Sequence, residues 1–128
     1  MENLFLLVGK SIETFQRLEQ NIKLVVYCVN KTNNSGFYSN IEDYEDYLRI
    51  ESKSLGVAIN ELYSIGAINS KEDKEVLDFI KNERNYIAHN IFNDNNTTEN
   101  KETRVKLIID YVEIINRALE KMIKNIWV

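Results

Sequence analysis

The fold class follows from an N-terminal stretch that reads LFLLVGKSIETFQRLEQNIKLVVYCV over residues 4–29. Its apolar residues recur in steps of three and four, which aligns them along one face of a helix. The stretch therefore predicts an amphipathic helix over about residues 3–29. The row consists of Leu4, Val8, Ile12, Phe15, Leu18, Ile22, Val25 and Val29.

The same periodicity returns three times further along the chain, over about residues 41–65, 71–92 and 102–127. Gly66 is a suitable C-terminal stop for the second of these segments, and Ser70, followed by acidic residues, is a suitable start for the third. No segment has the alternating pattern of a strand. These signals predict an all-α, up-and-down bundle of four main helices.

The composition agrees with a single domain over residues 1–128, since a chain of this length buries one hydrophobic core. Apolar residues make up 44% of the sequence and charged residues 28%, which is typical of globular proteins. There is no proline and there are only four glycines. This scarcity of chain breakers favours long helices and weighs against a β-sandwich or barrel with many turns.

Charge and cysteine content exclude several classes of protein. Cys28 is the only cysteine, which rules out an internal disulfide and a zinc site of paired cysteines. The net charge of −4 disfavours a non-specific DNA binder. The apolar run at residues 4–8 is too short for a signal peptide or a membrane span. We therefore expect a cytoplasmic protein without a membrane partner.

A polar cluster interrupts the apolar pattern of the third predicted helix; it comprises Glu83, Arg84, Asn85, His89 and Asn90. His89 is the only histidine in the chain and follows Arg84 by five residues. This spacing separates the two by about 7.5 Å along a helix axis and about 140° around it. An arginine is long enough to swing back, so the pair can hold a phosphate if this helix edge faces a groove.

Arginine and histidine together suit the cleavage of RNA by its own 2′-hydroxyl. This reaction needs a base for the hydroxyl proton, an acid for the leaving oxygen, and positive charge on the phosphate. Histidine, with an ordinary pKa of about 6.5, serves as base or acid near neutral pH. Arginine supplies fixed charge and forked donors to phosphate oxygens. The chemistry requires no metal or cofactor, and its need for a 2′-hydroxyl selects RNA over DNA.

The stretch Glu83-Arg84-Asn85-Tyr86-Ile87-Ala88-His89-Asn90 resembles the Arg–X4–His motif of the HEPN family, which often has a polar residue directly after the arginine. Upstream, Ser54-Leu55-Gly56 opens an amphipathic segment that leads through a spacer to this motif. This order is similar to that of small stand-alone bacterial and phage-defence members. The resemblance covers about residues 41–93.

The resemblance implies a homodimeric, metal-independent endoribonuclease with a composite cleft, in a toxin–antitoxin or anti-phage setting. The implied partners are an RNA substrate and a cognate antitoxin or nucleotidyltransferase. Arg84 would hold the scissile phosphate, His89 would act as acid or base, and Asn85 would orient one of them. Tyr86 and Asn90 are assigned to RNA binding. Other family members have lost catalysis and bind nucleotides or protein partners.

Structural roles for the same residues remain open. A lone histidine near a helix end commonly caps carbonyl groups, and an arginine such as Arg84 commonly forms an ion pair, for example with Asp78. The tyrosines, at helical spacing, suit packing as well as base stacking. The acidic isoelectric point near 5.1 favours an alternative function as a non-catalytic interaction module, meaning an antitoxin, immunity or adaptor protein.

Overall fold

The computed structural model describes residues 2–33, 54–68 and 70–127. Within these residues the chain forms four helices and no strand, so the predicted all-α bundle is confirmed. We number the helices in chain order and give their bounds here. They are α1 (Glu2–Asn33), α2 (Leu55–Ser64), α3 (Lys71–His89) and α4 (Thr98–Trp127).

Ser54 is not helical, so the helix predicted over residues 41–65 does not pass through this residue, which corrects that prediction. Ser54 has extended backbone angles, and its side chain accepts a hydrogen bond from the backbone N–H of Val57 at 3.3 Å. This hydroxyl satisfies one of the free donors at the start of α2, so the helix begins at Leu55. The portion predicted over residues 41–53 lies outside the described residues. Gly66, with φ of 78°, follows the end of α2 as predicted.

The loop between α3 and α4 is placed slightly differently from the prediction. Ser70 caps α3 as expected, since its hydroxyl accepts hydrogen bonds from the N–H groups of Glu72 and Asp73. The helix ends at His89 instead of residue 92, because the N–H groups of Asn90 and Ile91 both bond to the Tyr86 carbonyl. Helix α4 begins at residue 98, four residues earlier than predicted.

The core is a single cluster that joins all four helices. In α1 the buried row follows the predicted periodicity with one exchange. Ile12 is 46% exposed, whereas Ser11 is fully buried and donates its hydroxyl hydrogen to the Val8 carbonyl at 2.7 Å. A serine can be buried at this position because its hydroxyl is satisfied within its own helix.

Helices α1 and α4 run parallel to each other, as the contacts between them show. Asn3 donates a hydrogen bond to Glu102, and Arg17 donates to Glu113 and Glu120 at 3.2 and 2.8 Å, so both residue numbers rise together. Helix α3 runs antiparallel to both. In a bundle of four helices that alternate strictly up and down, the first and last helices are antiparallel. The parallel α1–α4 pair departs from that arrangement. None of the described helices combines the length and apolarity that a membrane span requires.

Candidate functional site

Arg84 occupies a position in the buried row of α3. The row advances in steps of three and four residues, and its other members are 5% exposed or less: Leu77, Ile80, Ile87 and, two residues beyond the end of α3, Ile91. The Arg84 side chain is 43% exposed, so it leaves the core at the edge where α3 meets α1. A guanidinium at such a position keeps its charge in water while its alkyl stem packs against apolar neighbours.

The Arg84 groove is a depression of about 200 Å³ between α1 and α3. Typical small-molecule sites enclose about 300–1,000 Å³. The groove therefore suits part of a larger ligand, such as one phosphate or one base of a polynucleotide, better than a free metabolite. Its lining residues are Ile12, Phe15, Gln16, Glu19, Arg84, Ile87 and Ala88.

Glu19 is the acidic residue closest to the Arg84 guanidinium, and their charged atoms are 3.9 Å apart. This contact is longer than a good hydrogen bond. Glu19 also forms a 2.9 Å ion pair with Lys23, one turn further along α1. Because Lys23 already holds Glu19, the donors of Arg84 are not saturated by this carboxylate. The alternative of an ion pair between Arg84 and Asp78 is wrong, because Asp78 pairs with Lys74 at 3.0 Å.

The other residues of the polar cluster do not line the Arg84 groove. His89 is exposed on the last turn of α3 and is absent from the groove lining, while the Asn93 side chain donates to its backbone carbonyl at 3.4 Å. Asn85 and Asn90 are also exposed. Within one chain the structure thus brings Arg84 together with Glu19, and it leaves His89 on another face of the same helix.

Tyr86 takes part in a network that ties the α3–α4 loop to both helices. Its hydroxyl donates a short hydrogen bond to Asp94, and the Arg104 guanidinium lies 3.6 Å from its ring centroid. Arg104 also donates two hydrogen bonds to Glu83, at 2.9 and 3.2 Å, and Lys101 lies 3.2 Å from Asp94. One face of the Tyr86 ring is therefore already covered, which leaves at most the other face for a base.

The network shifts two ionisation equilibria. Burial, and then the hydrogen bond to Asp94, raise the pKa of Tyr86 above its ordinary value. The hydrogen bond from Tyr86 lowers the pKa of Asp94. Both shifts favour the neutral phenol beside the charged carboxylate. The hydrogen bond that joins Tyr86 of α3 to Asp94 of the loop is therefore kept under physiological conditions.

The sequence did not point to Glu19 or Lys23. Both lie in α1, more than sixty residues from the motif, and charged residues four apart usually form a solvated pair on a helix surface. Lys23 is only 7% exposed, but burial of a lysine is not visible in a sequence pattern. Only the packing of α1 on α3 brings these residues beside Arg84.

Among the described residues, no group of three or more His, Cys, Asp or Glu side chains is placed to bind a metal ion. Burial raises the pKa of the Cys28 thiol, which fits an unreactive core residue. Comparison of the chain with protein-family models, with curated proteins and with solved structures gave no match. The resemblance to the HEPN family therefore rests on the motif itself.

Proposed function

We propose that the protein is a metal-independent endoribonuclease that acts in the cytoplasm, with Arg84 as the phosphate-binding residue and His89 as acid or base. The observation that carries this proposal is the position of Arg84 at the mouth of a small groove. Its guanidinium is half-exposed and contacts Glu19 only at 3.9 Å, so forked donors remain for a phosphate. The type of reaction is the one that the motif's resemblance to HEPN ribonucleases implies.

The proposal requires His89 to reach a phosphate that Arg84 holds. Five helical residues place the two side chains about 140° apart around α3, so one chain presents them on different faces. A composite cleft, as the resemblance implies, solves this by supplying His89 from a second copy. Asn85 would orient Arg84 or His89. Tyr86 and Asn90 would contact the RNA, Tyr86 only through its free ring face.

The decisive experiment is RNA cleavage in the presence of EDTA. We expect wild-type protein to cut total cellular RNA and to leave 2′,3′-cyclic phosphate and 5′-hydroxyl ends, whereas His89→Ala and Arg84→Ala leave the RNA intact. Loss of a general acid–base group typically lowers the rate by about 10²–10⁴-fold. Asn82→Ala changes an exposed residue of the same helix and should cut like the wild type.

Two further results decide the mechanism. A substrate with 2′-deoxyribose at the cut position should resist cleavage, because the attacking hydroxyl is missing. If a composite cleft exists, a mixture of inactive Arg84→Ala and His89→Ala chains should regain part of the activity, since some mixed dimers carry one complete site. Equal treatment of RNA by wild-type protein and folded His89→Ala would refute the ribonuclease proposal.

A non-catalytic interaction module, meaning an antitoxin, immunity or adaptor protein, is the second candidate. Two observations favour it: the net charge of −4, and the separation of His89 from the Arg84 groove within one chain. This function predicts a stable complex with a protein partner that persists when both Arg84 and His89 are replaced by alanine. In that case RNA stays intact with every variant, including the wild type.

A further inference from the structure

The outer face of α4 carries a row of exposed apolar side chains. Leu107 is 65% exposed, Tyr111 42% and Ile114 62%. Together with the exposed Ala118 they follow one another in steps of four, three and four residues, which places them on a single stripe. We call these four residues the α4 row. Large contiguous apolar patches with a polar rim mark sites of protein interaction.

The α4 row faces away from the Arg84 groove. On one side of it, Lys10 of α1 and Asp110 of α4 line a shallow groove; on the other side, Val76 of α3 and Ala118 of α4 line another. The row thus lies between α1 and α3 on the outside of α4. The Arg84 groove, in contrast, is lined by α1 and α3 alone. An occupant of the row would not touch the proposed catalytic residues.

The α4 row has polar ends. Continuing its spacing in either direction leads to Arg104 and Lys121, so the apolar part is confined to residues 107–118. This part is about 16 Å long, or three helical turns. Its ideal occupant is another short apolar stripe on a helix. The same stripe on a second copy of the chain has the required length and polar ends.

The charges beside the α4 row select the orientation of such a pair. Asp110 and Arg117 are both exposed, flank the row on the α1 side, and are seven residues apart. In an antiparallel pair that sets Leu107 against Ala118 and Tyr111 against Ile114 of the other copy, Asp110 and Arg117 flank the same side of the seam. They are offset by about two residues, or about 3 Å, along the helix axis, so Asp110 of each copy is within reach of Arg117 of the other. Two opposite-charge pairs form in this way. In a parallel, in-register pair, the residue of the other copy that flanks the seam beside Asp110 would be Ile115, and neither charge would meet its opposite.

We propose that a second copy of this chain docks on the α4 row, with the two α4 helices antiparallel and with reciprocal Asp110–Arg117 pairs. The contact is small compared with a standard interface of about 1,600 Å². We therefore expect a reversible dimer with a dissociation constant in the micromolar range. The proposal uses no residue of the Arg84–His89 motif and is independent of the proposed function.

This dimer places the two Arg84 grooves on opposite outer sides of the assembly. It therefore differs from the composite cleft that the motif resemblance implies, which requires contact through the α1–α3 side. If both contacts form, the protein associates beyond a dimer. Variants on the α4 row and variants in the Arg84 groove distinguish the two contacts.

The first test is sedimentation velocity over a concentration series from low micromolar to several hundred micromolar protein. We expect concentration-dependent dimerisation of the wild type. Ile114→Asp places a charge at the centre of the seam and should raise the dissociation constant by about tenfold or more. Phe79→Asp, at a 54% exposed position on α3, is the matched control and should dimerise like the wild type. Circular dichroism of each variant verifies the helical fold.

The second test is a charge exchange, which reports on orientation. Asp110→Lys replaces the opposite-charge pair by two positive charges at both symmetry-related positions, so it should weaken the dimer. Adding Arg117→Glu should restore the opposite-charge pairs and the dimer. A wild-type protein that stays monomeric throughout the concentration series would overturn the proposal. So would a dimer that tolerates Ile114→Asp but is broken by Ile12→Asp, since Ile12 lines the Arg84 groove.

Discussion

Arg84 is a charged residue at a position where the periodicity of α3 calls for an apolar one. Its row neighbours Ile80 and Ile87 are 0% and 3% exposed, and its guanidinium has only a long contact with Glu19. Exposed ion pairs contribute about 0–1 kcal/mol, so this contact does little for stability. The residue is therefore better explained by what its free donors bind than by what it does for the fold.

Replacement of Arg84 by leucine separates these two roles. Leucine would complete the apolar row and bury more apolar surface, so we expect the free energy of unfolding to stay equal or to rise by about 1 kcal/mol. RNA cleavage should be lost in the same variant. Urea denaturation and the cleavage assay measure the two effects. A loss of more than about 2 kcal/mol would instead show that Arg84 supports the fold.

Single-residue features were predictable where the side chain is apolar and harder to predict where it is polar. The sequence identified Leu4, Phe15 and Ile22 as core residues, and each is buried. It missed Ser11 and Asn116, which are fully buried, because a hydrophobic pattern cannot show that a polar group finds its hydrogen bonds inside. The placement of Glu19 beside Arg84 was also missed, because it depends on tertiary packing.

At the scale of elements, short polar signals decide where helices begin and end. The starts at Ser54 and Ser70 follow from hydroxyl groups that accept backbone N–H hydrogen bonds. The sequence predicted the start at Ser70. It also identified Ser54 as opening an amphipathic segment, but it predicted a helix through this residue, because apolar residues recur at helical spacing on both sides of it. The loop after α3 depends on contacts between Tyr86, Asp94 and Lys101, which no local pattern predicts.

Tyr86→Phe tests how the stabilising effect of the Tyr86–Asp94 hydrogen bond, between α3 and the loop, depends on pH. The pKa of Asp94 is lowered in the folded protein, so its contribution is present above the ordinary value of about 4 and is lost as the pH falls through the lowered value. The pKa of Tyr86 is raised, so its contribution is present below about 10 and is lost as the pH rises through the raised value.

We therefore expect the wild type to be more stable than Tyr86→Phe between about pH 5 and 9, with the difference shrinking towards both extremes. Urea denaturation within this pH range and beyond both of its ends measures the difference. Tyr63→Phe, at a 38% exposed position, is the control and should show no such profile. A difference that is independent of pH would mean that the Tyr86–Asp94 bond does not stabilise the fold.

At the scale of the whole molecule, the pairing of α1 with α4 organises the bundle. Its centre contains a polar contact: the Asn21 side chain donates to Asn116 at 3.1 Å, and Asn116 donates to the Thr14 carbonyl at 3.3 Å. Asn21 is 6% exposed and Asn116 is fully buried. A buried polar pair of this kind can fix the register of two helices, because a shifted alignment leaves both amides unpaired.

Asn116→Leu alone should cost about 1–3 kcal/mol, because it leaves the buried Asn21 amide without this partner. The double variant Asn21→Leu/Asn116→Leu should recover that loss, since both members of the pair become apolar. We expect the double variant to have a less unique α1–α4 alignment, seen as broadened or duplicated amide signals in NMR spectra. A double variant as unstable as the single one would show that the loss does not come from an unpaired Asn21 amide. One sharp set of amide signals from the double variant would show that the pair does not fix the register.

The parallel course of α1 and α4 also determines how the bundle would respond to mechanical force. Glu2 lies at one end of the bundle and Trp127 at the other, because α4 extends about 45 Å from a start beside the N-terminal turns of α1. Tension applied between these two residues would slide the helices lengthwise past each other. Every contact along the seam, including the Asn21–Asn116 pair, would be strained at once, whereas an antiparallel pair pulled from one end would peel apart contact by contact.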